Sequence, residues 1–145
     1  MESRVNWKDA ATNIGDQSVA TNTGEYSATT NTGYQSAATN TGYFSAATNI
    51  GDRSAATNTG DRSAATNTGY QSVVTVEGKE SIACGLGIKN KAKGKIGCWL
   101  VLAEWHKDKE HKWHIKNIKN AKVTGEAIKE DTWYKLKKGK FVEAN

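Results

Sequence analysis

The sequence predicts an all-β fold: a parallel β-solenoid, or β-roll, of nonapeptide repeats, closed by a small antiparallel β cap at its C-terminal end. Three observations predict it. Glycine falls on every ninth residue from Gly15 to Gly87. A serine stands three residues after each glycine from Ser18 to Ser81, and a near-fixed Ala-Ala-Thr-Asn-Thr fills the interval. Beyond Gly97 this beat gives way to segments rich in Trp and Lys. A strict short period is the signature of a chain that stacks one small unit on the next.

The repeat unit reads Ser-Ala-Ala-Thr-Asn-Thr-Gly-x-x and assigns residues 1–96 to the solenoid. Nine extended residues reach about 30 Å, most of which two turns across a sheet gap of ~10 Å would use. Two repeats, about 18 residues, form a coil of two short strands and two corners, giving about five coils that climb ~4.8 Å each. Ser-Ala-Ala-Thr supplies the strand. Asn-Thr-Gly is expected to supply the corner, because Asn and Gly tolerate positive φ. Alternation along the strand puts Ser and the second Ala on one face (Ser36 and Ala38, Ser54 and Ala56), read here as the interior. The opposite phase, which would bury Val19, Val73 and Ile82, stays open at this point.

Spacing and substitution pattern distinguish the repeat from a disordered tract. Nine glycines keep phase without insertion, proline is absent, and Val, Ile or Leu replace Ala or Thr at Val19, Val73, Ile82, Ile14, Ile50 and Leu86. The two residues after each glycine vary most and are expected to point outward from the corners. With 18-residue coils, Trp7, Tyr26, Tyr43 and Phe44 gather along one edge, a candidate surface for a protein partner, since aromatics dominate interface energetics. The competing reading is that these rings simply stack to seal the turns. Outward threonines form a Thr-x-Thr array on one sheet (Thr21, Thr23, Thr39, Thr41, Thr57, Thr59), similar to the flat face of ice-binding solenoids, though threonine is also simply a good strand former.

Residues 97–145 are read as a separate cap. Cys98–Trp105 is a buried strand and His106–Lys112 a loop; Trp113–Val123 follows as a strand or, alternatively, a helix over Ile115–Val123. Thr132–Leu136 and Phe141–Glu143 flank a turn at Lys138-Gly139. The expectation is a small antiparallel sheet packed on the last coil. Charge divides the same way: the net is −3 through Ile88 and +8 from Lys89 onward. Lysines among tryptophans make Lys135, Lys137, Lys138 and Lys140 candidate nucleic-acid contacts. Arginine, the usual choice for bidentate phosphate or base contacts, is absent from this region.

Several classes are disfavoured. No Ser/His/Asp set, carboxylate pair or phosphate-cradling loop can be assembled, so a non-catalytic protein without cofactor is expected. The unit lacks the Gly-Gly-x-Gly-x-Asp of calcium-binding nonapeptides. His106, His111 and His114 fall in or beside a charged loop without metal spacing. Cys84 and Cys98 are expected to be reduced thiols. Met1–Asp9 holds no signal-peptide core and no run suits a membrane span, which points to the cytoplasm.

The Gly-x-x-Ser-Ala-Ala-Thr repeats, the phrase Lys93–Glu104 (KGKIGCWLVLAE), and Asp131–Leu136 (DTWYKL) with Gly139–Glu143 (GKFVE) resemble an uncharacterised solenoid family of phages and Gram-positive bacteria. The likeness covers most of the chain. It implies a phage or prophage accessory protein in the host cytoplasm and transfers no catalytic residue. That setting suits an inhibitor of a host defence complex acting by occlusion. The Gly-x-x-Ser-x-Ala phrase is also similar to the left-handed β-roll heads of trimeric autotransporter adhesins, with a different period. A protein partner is expected, with nucleic acid or a second copy of this chain as further candidates.

Overall fold

The computed structural model describes residues 10–144. Fourteen strands, and no helix, occur among them. Ten four-residue strands make the solenoid: β1 (Ala10–Asn13), β2 (Val19–Asn22), β3 (Ala28–Asn31), β4 (Ala37–Asn40), β5 (Ala46–Asn49), β6 (Ala55–Asn58), β7 (Ala64–Asn67), β8 (Val73–Val76), β9 (Ile82–Gly85) and β10 (Lys91–Gly94). Odd strands pair in parallel with odd strands and even with even, in register at 18 residues, as in Ala10↔Ala28 and Thr39↔Thr57. Five coils of 18 residues follow, as the paired reading of the glycine beat required.

The strand is Ala-Ala-Thr-Asn, one residue later than expected, because serine belongs to the corner. Positive φ falls on the second residue after each repeat glycine, from Gln17 (54°) to Lys89 (59°), rather than on Asn or Gly as the sequence suggested. The glycines serve a different need. A Cβ on Gly33 or Gly51 would collide with the carbonyl oxygen of the glycine one coil below, so this column permits the coils to close to strand spacing. Asn is absent from the positive-φ positions because its side chain is inside.

Ser, the second Ala and Asn all face inward, so the Ser/Ala assignment holds and Val19 and Ile82 lie exposed. Serines form a ladder: the Ser36 amide donates to Ser54 Oγ at 3.0 Å, and Ser54 Oγ donates to the Gly33 carbonyl at 3.1 Å. Asn49 Nδ2 donates to the carbonyls of Ser36 and Ala55, and its Oδ1 accepts from the Gly51 amide. The core is thus narrow and polar, lined by fully buried Ala38, Ala56, Asn40 and Asn58 on one sheet and Ala47, Ala65, Asn49 and Asn67 on the other. Among described residues no buried side-chain polar atom lacks a partner.

Toward the C-terminus this polar interior becomes apolar. Val76, Gly85, Gly94 and Leu102 take the asparagine column. Leu102 fills the space left over Gly85, and Cys98 and Val76, with Leu100 just behind them, that over Gly94. They join Val74, Val123, Ile128, Tyr134 and Leu136 in one cluster. Cys98 replaces the column serine, with Sγ against the Gly78 carbonyl at 2.9 Å. Both cysteines are free. Burial pushes both thiols up, which suits packing more than reactivity. Cys98→Ser restores the repeat residue and is expected to shift the thermal midpoint by less than about 3 °C, corresponding to under ~1 kcal/mol.

The cap is two hairpins rather than a separate sheet. In the first, β11 (Trp99–Lys107) continues the parallel ladder on β9 through Leu102, then overruns the corner and returns as β12 (Trp113–Lys122). The helix alternative over 115–123 is thereby excluded. In the second, β13 (Tyr134–Lys137) and β14 (Lys140–Glu143) join β10 antiparallel through Ala92↔Tyr134. Each seven-stranded sheet so receives its own antiparallel end. Lysines on edge strand β12 discourage further pairing.

Candidate functional site

Three surfaces carry the residues that the sequence singled out. The first is the corner column of Tyr26, Phe44, Arg62 and Glu80. Tyr26 and Phe44 stack at 5.6 Å between centroids and 19° between planes, and Tyr43 meets Phe44 edge-on at 4.2 Å. Tyr26 is 61% exposed and Phe44 43%. Trp7 lies outside the described residues. Below the rings, Arg62 donates to the Tyr43 hydroxyl at 2.8 Å, covers the Phe44 ring and pairs with Glu80. The ridge is therefore continuous and buttressed. The stacking that seals the corners and the exposed apolar edge are the same rings.

The opposite corner repeats a simpler stitch. Asp16 and Asp52 accept from the amides of Tyr34 and Tyr70 one coil on, while Arg53 and Lys89 donate to the hydroxyls of Tyr34 and Tyr70. Aspartate after the glycine is thus a cap for the next coil. Its recurrence at Asp16, Asp52 and Asp61 is readable in the sequence once the coil length is known.

The second surface is the threonine array. Thr21, Thr39 and Thr57 stand in register on β2, β4 and β6, and Thr23, Thr41 and Thr59 follow just beyond the strand ends. Thr39, Thr57 and Thr59 are half-buried. The array ends at Glu77, and Thr75 is buried. Lys93 takes the next place in the Thr75 column.

The third surface is where that sheet turns basic. Lys91 and Lys93 on β10, Lys135 and Lys137 on β13 and Lys140 on β14 lie toward its outer face, since Ala92, Tyr134 and Leu136 point inward. Lys93 packs over the Trp133 ring at 4.6 Å. Lys138 differs from its neighbours: it sits in the turn at φ 52°, its amide bound to Glu104. Glu104 also accepts from the Gly139 amide and from Asn117. These donors, Asn117 first, hold its carboxyl below the usual range, so it stays ionised and ties the two hairpins together.

Beside the lysines opens a groove of about 790 Å³. The overrun of β11 past the corner forms one wall with Trp105, and Trp113 returns on β12. Leu136 and Lys137 form the other wall, and Ile88, Lys89 and Arg53 the floor at the corner. Trp105 Nε1 donates to the Leu86 carbonyl at 3.0 Å, which pins the ring over the corner. Lys107 lies over Trp113 at 5.1 Å. Sequence reasoning missed Arg53, Lys89, Lys91, Trp105 and Trp113 as neighbours. The available signal was a strand twice the length that the coil accepts.

At the hairpin loop, His114 Nε2 lies 2.6 Å from Asp108 Oδ2, and Asp108 accepts from the Glu110 and Lys112 amides. Those contacts close the loop. Among the described residues no three His, Cys, Asp or Glu side chains cluster as a metal site.

No protein-family model, curated protein or solved structure matches this chain.

Proposed function

We propose that the protein is a non-catalytic binding scaffold, a rigid solenoid that presents the Tyr26–Tyr43–Phe44 ridge to a protein partner. The observation that carries this reading is the exposed ridge of aromatic rings in mutual contact, Tyr26 stacked on Phe44 and Phe44 met edge-on by Tyr43. Contiguous apolar surface of this kind marks interaction sites. Rigid rings lose little side-chain entropy on docking, and Arg62 beneath them holds the ridge in place before a partner arrives. The phage setting implied by the family resemblance suits an accessory protein that occludes a surface of a host defence complex. The threonine array does not carry the reading: it spans three strands, about 10 Å, and strand propensity accounts for its composition.

Phe44→Asn tests it without loss of fold. Residue 44 sits at φ 53°, a conformation that Asn adopts more readily than Phe. The variant is expected to keep its circular dichroism and thermal midpoint while host-protein capture falls at least about tenfold, the loss typical of one interface anchor. Capture equal to wild type by the folded variant would remove the ridge from the binding surface.

A further inference from the structure

The groove and the lysine face beside it point elsewhere from the ridge, since they lie at the other corner column. Among the described residues that line the groove, Arg53, Lys89, Lys91, Lys135 and Lys137 stand with one carboxylate, Glu104, whose oxygens are already occupied by Asn117 and two backbone amides. Lys137 faces Lys140 directly across the β13–β14 ladder. The antiparallel pairing around Ala92↔Tyr134 likewise sets Lys91 beside Lys135. Like charges opposite one another destabilise a sheet. Among the described residues no carboxylate comes within ion-pair distance of Lys135, Lys137 or Lys140. A surface that gathers Lys135, Lys137 and Lys140 with no carboxylate among the described residues in ion-pair reach of them is complementary to a polyanion.

The aromatic wall narrows the class. Trp105 and Trp113 line the same groove as the cations, and Trp133 lies beside Lys93 on the adjoining face. Indole faces stack on planar bases, whereas an anionic lipid surface or a sulfated polysaccharide offers charge without a flat ring. Stacked bases inside a duplex cannot reach a groove wall; splayed bases of a single strand can. Lysine as the principal cation fits tracking of a phosphate backbone without base readout.

We propose that this groove binds single-stranded nucleic acid, with a base against Trp105 and Trp113 and the phosphates running over Lys91, Lys135, Lys137 and Lys140. The arrangement is a basic track with stacking platforms, and it implies binding without sequence preference. It is independent of the protein-partner ridge.

Fluorescence anisotropy of a 5′-labelled dT12 strand, with the full chain and at 50 to 200 mM salt, tests it. Four phosphate contacts give a logarithmic salt slope of about −3, so affinity should fall on the order of 50-fold across that range. Lys135→Glu with Lys137→Glu should weaken binding tenfold or more, and Trp113→Leu at least about fivefold, the lower bound for one stacked base. Lys79→Glu with Lys122→Glu makes the same change in net charge at residues that do not line the groove, Lys79 being at the opposite corner, and should leave affinity within about twofold. Circular dichroism checks that each variant folds, and Lys135→Gln with Lys137→Gln repeats the test if the glutamates do not. The proposal is overturned by three results: no binding at 100 µM strand, equal weakening by the remote charge pair, or a 12-bp duplex binding as tightly with Trp113→Leu unaffected.

Discussion

Gly51→Ala is expected to collapse the middle of the solenoid, while Gly15→Ala is expected to be tolerated. The two glycines hold the same place in the repeat, so propensity and sequence context predict similar effects. The stacking separates them. A methyl on Gly51 would sit inside the contact distance of the Gly33 carbonyl oxygen and carbon, both backbone atoms. They cannot retreat, because Ile50 donates to the Asn31 carbonyl and Thr68 to that of Asn49 on either side of the column. Relief would require opening the coil spacing and breaking several of those bonds together. A loss of at least about 4 kcal/mol is expected, in the range that marks backbone conflict rather than lost contact. At Gly15 the nearest atom to an added Cβ lies 3.6 Å away, an ordinary contact. Its φ is outside the left-handed region, so alanine there should change stability by no more than about 1 kcal/mol and is free to raise it by restricting the unfolded chain. Thermal unfolding of the two variants beside wild type checks the pair. Equal midpoints would mean that the glycine column does not set the coil spacing.

That contrast also shows what the residues disclosed before the structure. The glycine beat itself repeats at nine; the reach of nine extended residues made two repeats the coil, and coil number and the alternation of corners followed from that pairing. Strand alternation put Ser and the second Ala on one face, and the small side chains that a thin solenoid needs pointed that face inward, with the opposite phase still open until the structure showed Val19 and Ile82 exposed. Asparagine was misread for a physical reason: local turn propensity favours it at positive φ, but inside, its amide bonds three backbone groups, two carbonyls and the glycine amide. The positive φ then falls to Gln17, Gln35, Arg53 and their equivalents, residues with no propensity for it, held there by hydrogen bonds between coils. The cap strands were visible in their apolar runs, yet their division between the two sheets was not. It depends on β11 joining β9 in parallel at a 17-residue offset where the repeat had used 18. The groove follows from that same join, so its tryptophans and lysines, distant in sequence, carried no shared local signal.

The buried asparagines also make the core sensitive to a single atom exchange. Asn49→Asp keeps the acceptor for the Gly51 amide at 2.9 Å but loses both donors, to Ser36 at 3.1 Å and to Ala55 at 3.2 Å. The Ser36 carbonyl still accepts from the Ala55 amide at 2.9 Å, so what goes is a second hydrogen bond to each buried carbonyl, at about 0.5–1.5 kcal/mol apiece. An ionised carboxylate would face those carbonyl oxygens, so the aspartate is expected to take up a proton, its folded-state pKa raised above the unfolded value of about 3.9. A raised carboxyl pKa means that the native state binds more protons than the unfolded state, so stability falls as pH rises. The variant should therefore come closest to wild type near pH 4, where the protonated carboxyl donates to one carbonyl, and lose ground steadily as pH rises through the folded-state value. Asn49→Ala removes the amide without adding a titrating group, so its deficit relative to wild type should stay level over the same range. Thermal midpoints of the three proteins from pH 4 to pH 8 decide the matter. A deficit for Asn49→Asp that does not grow with pH would show that the carboxylate finds water or a cation there, and that the interior is less closed than its asparagine ladder implies.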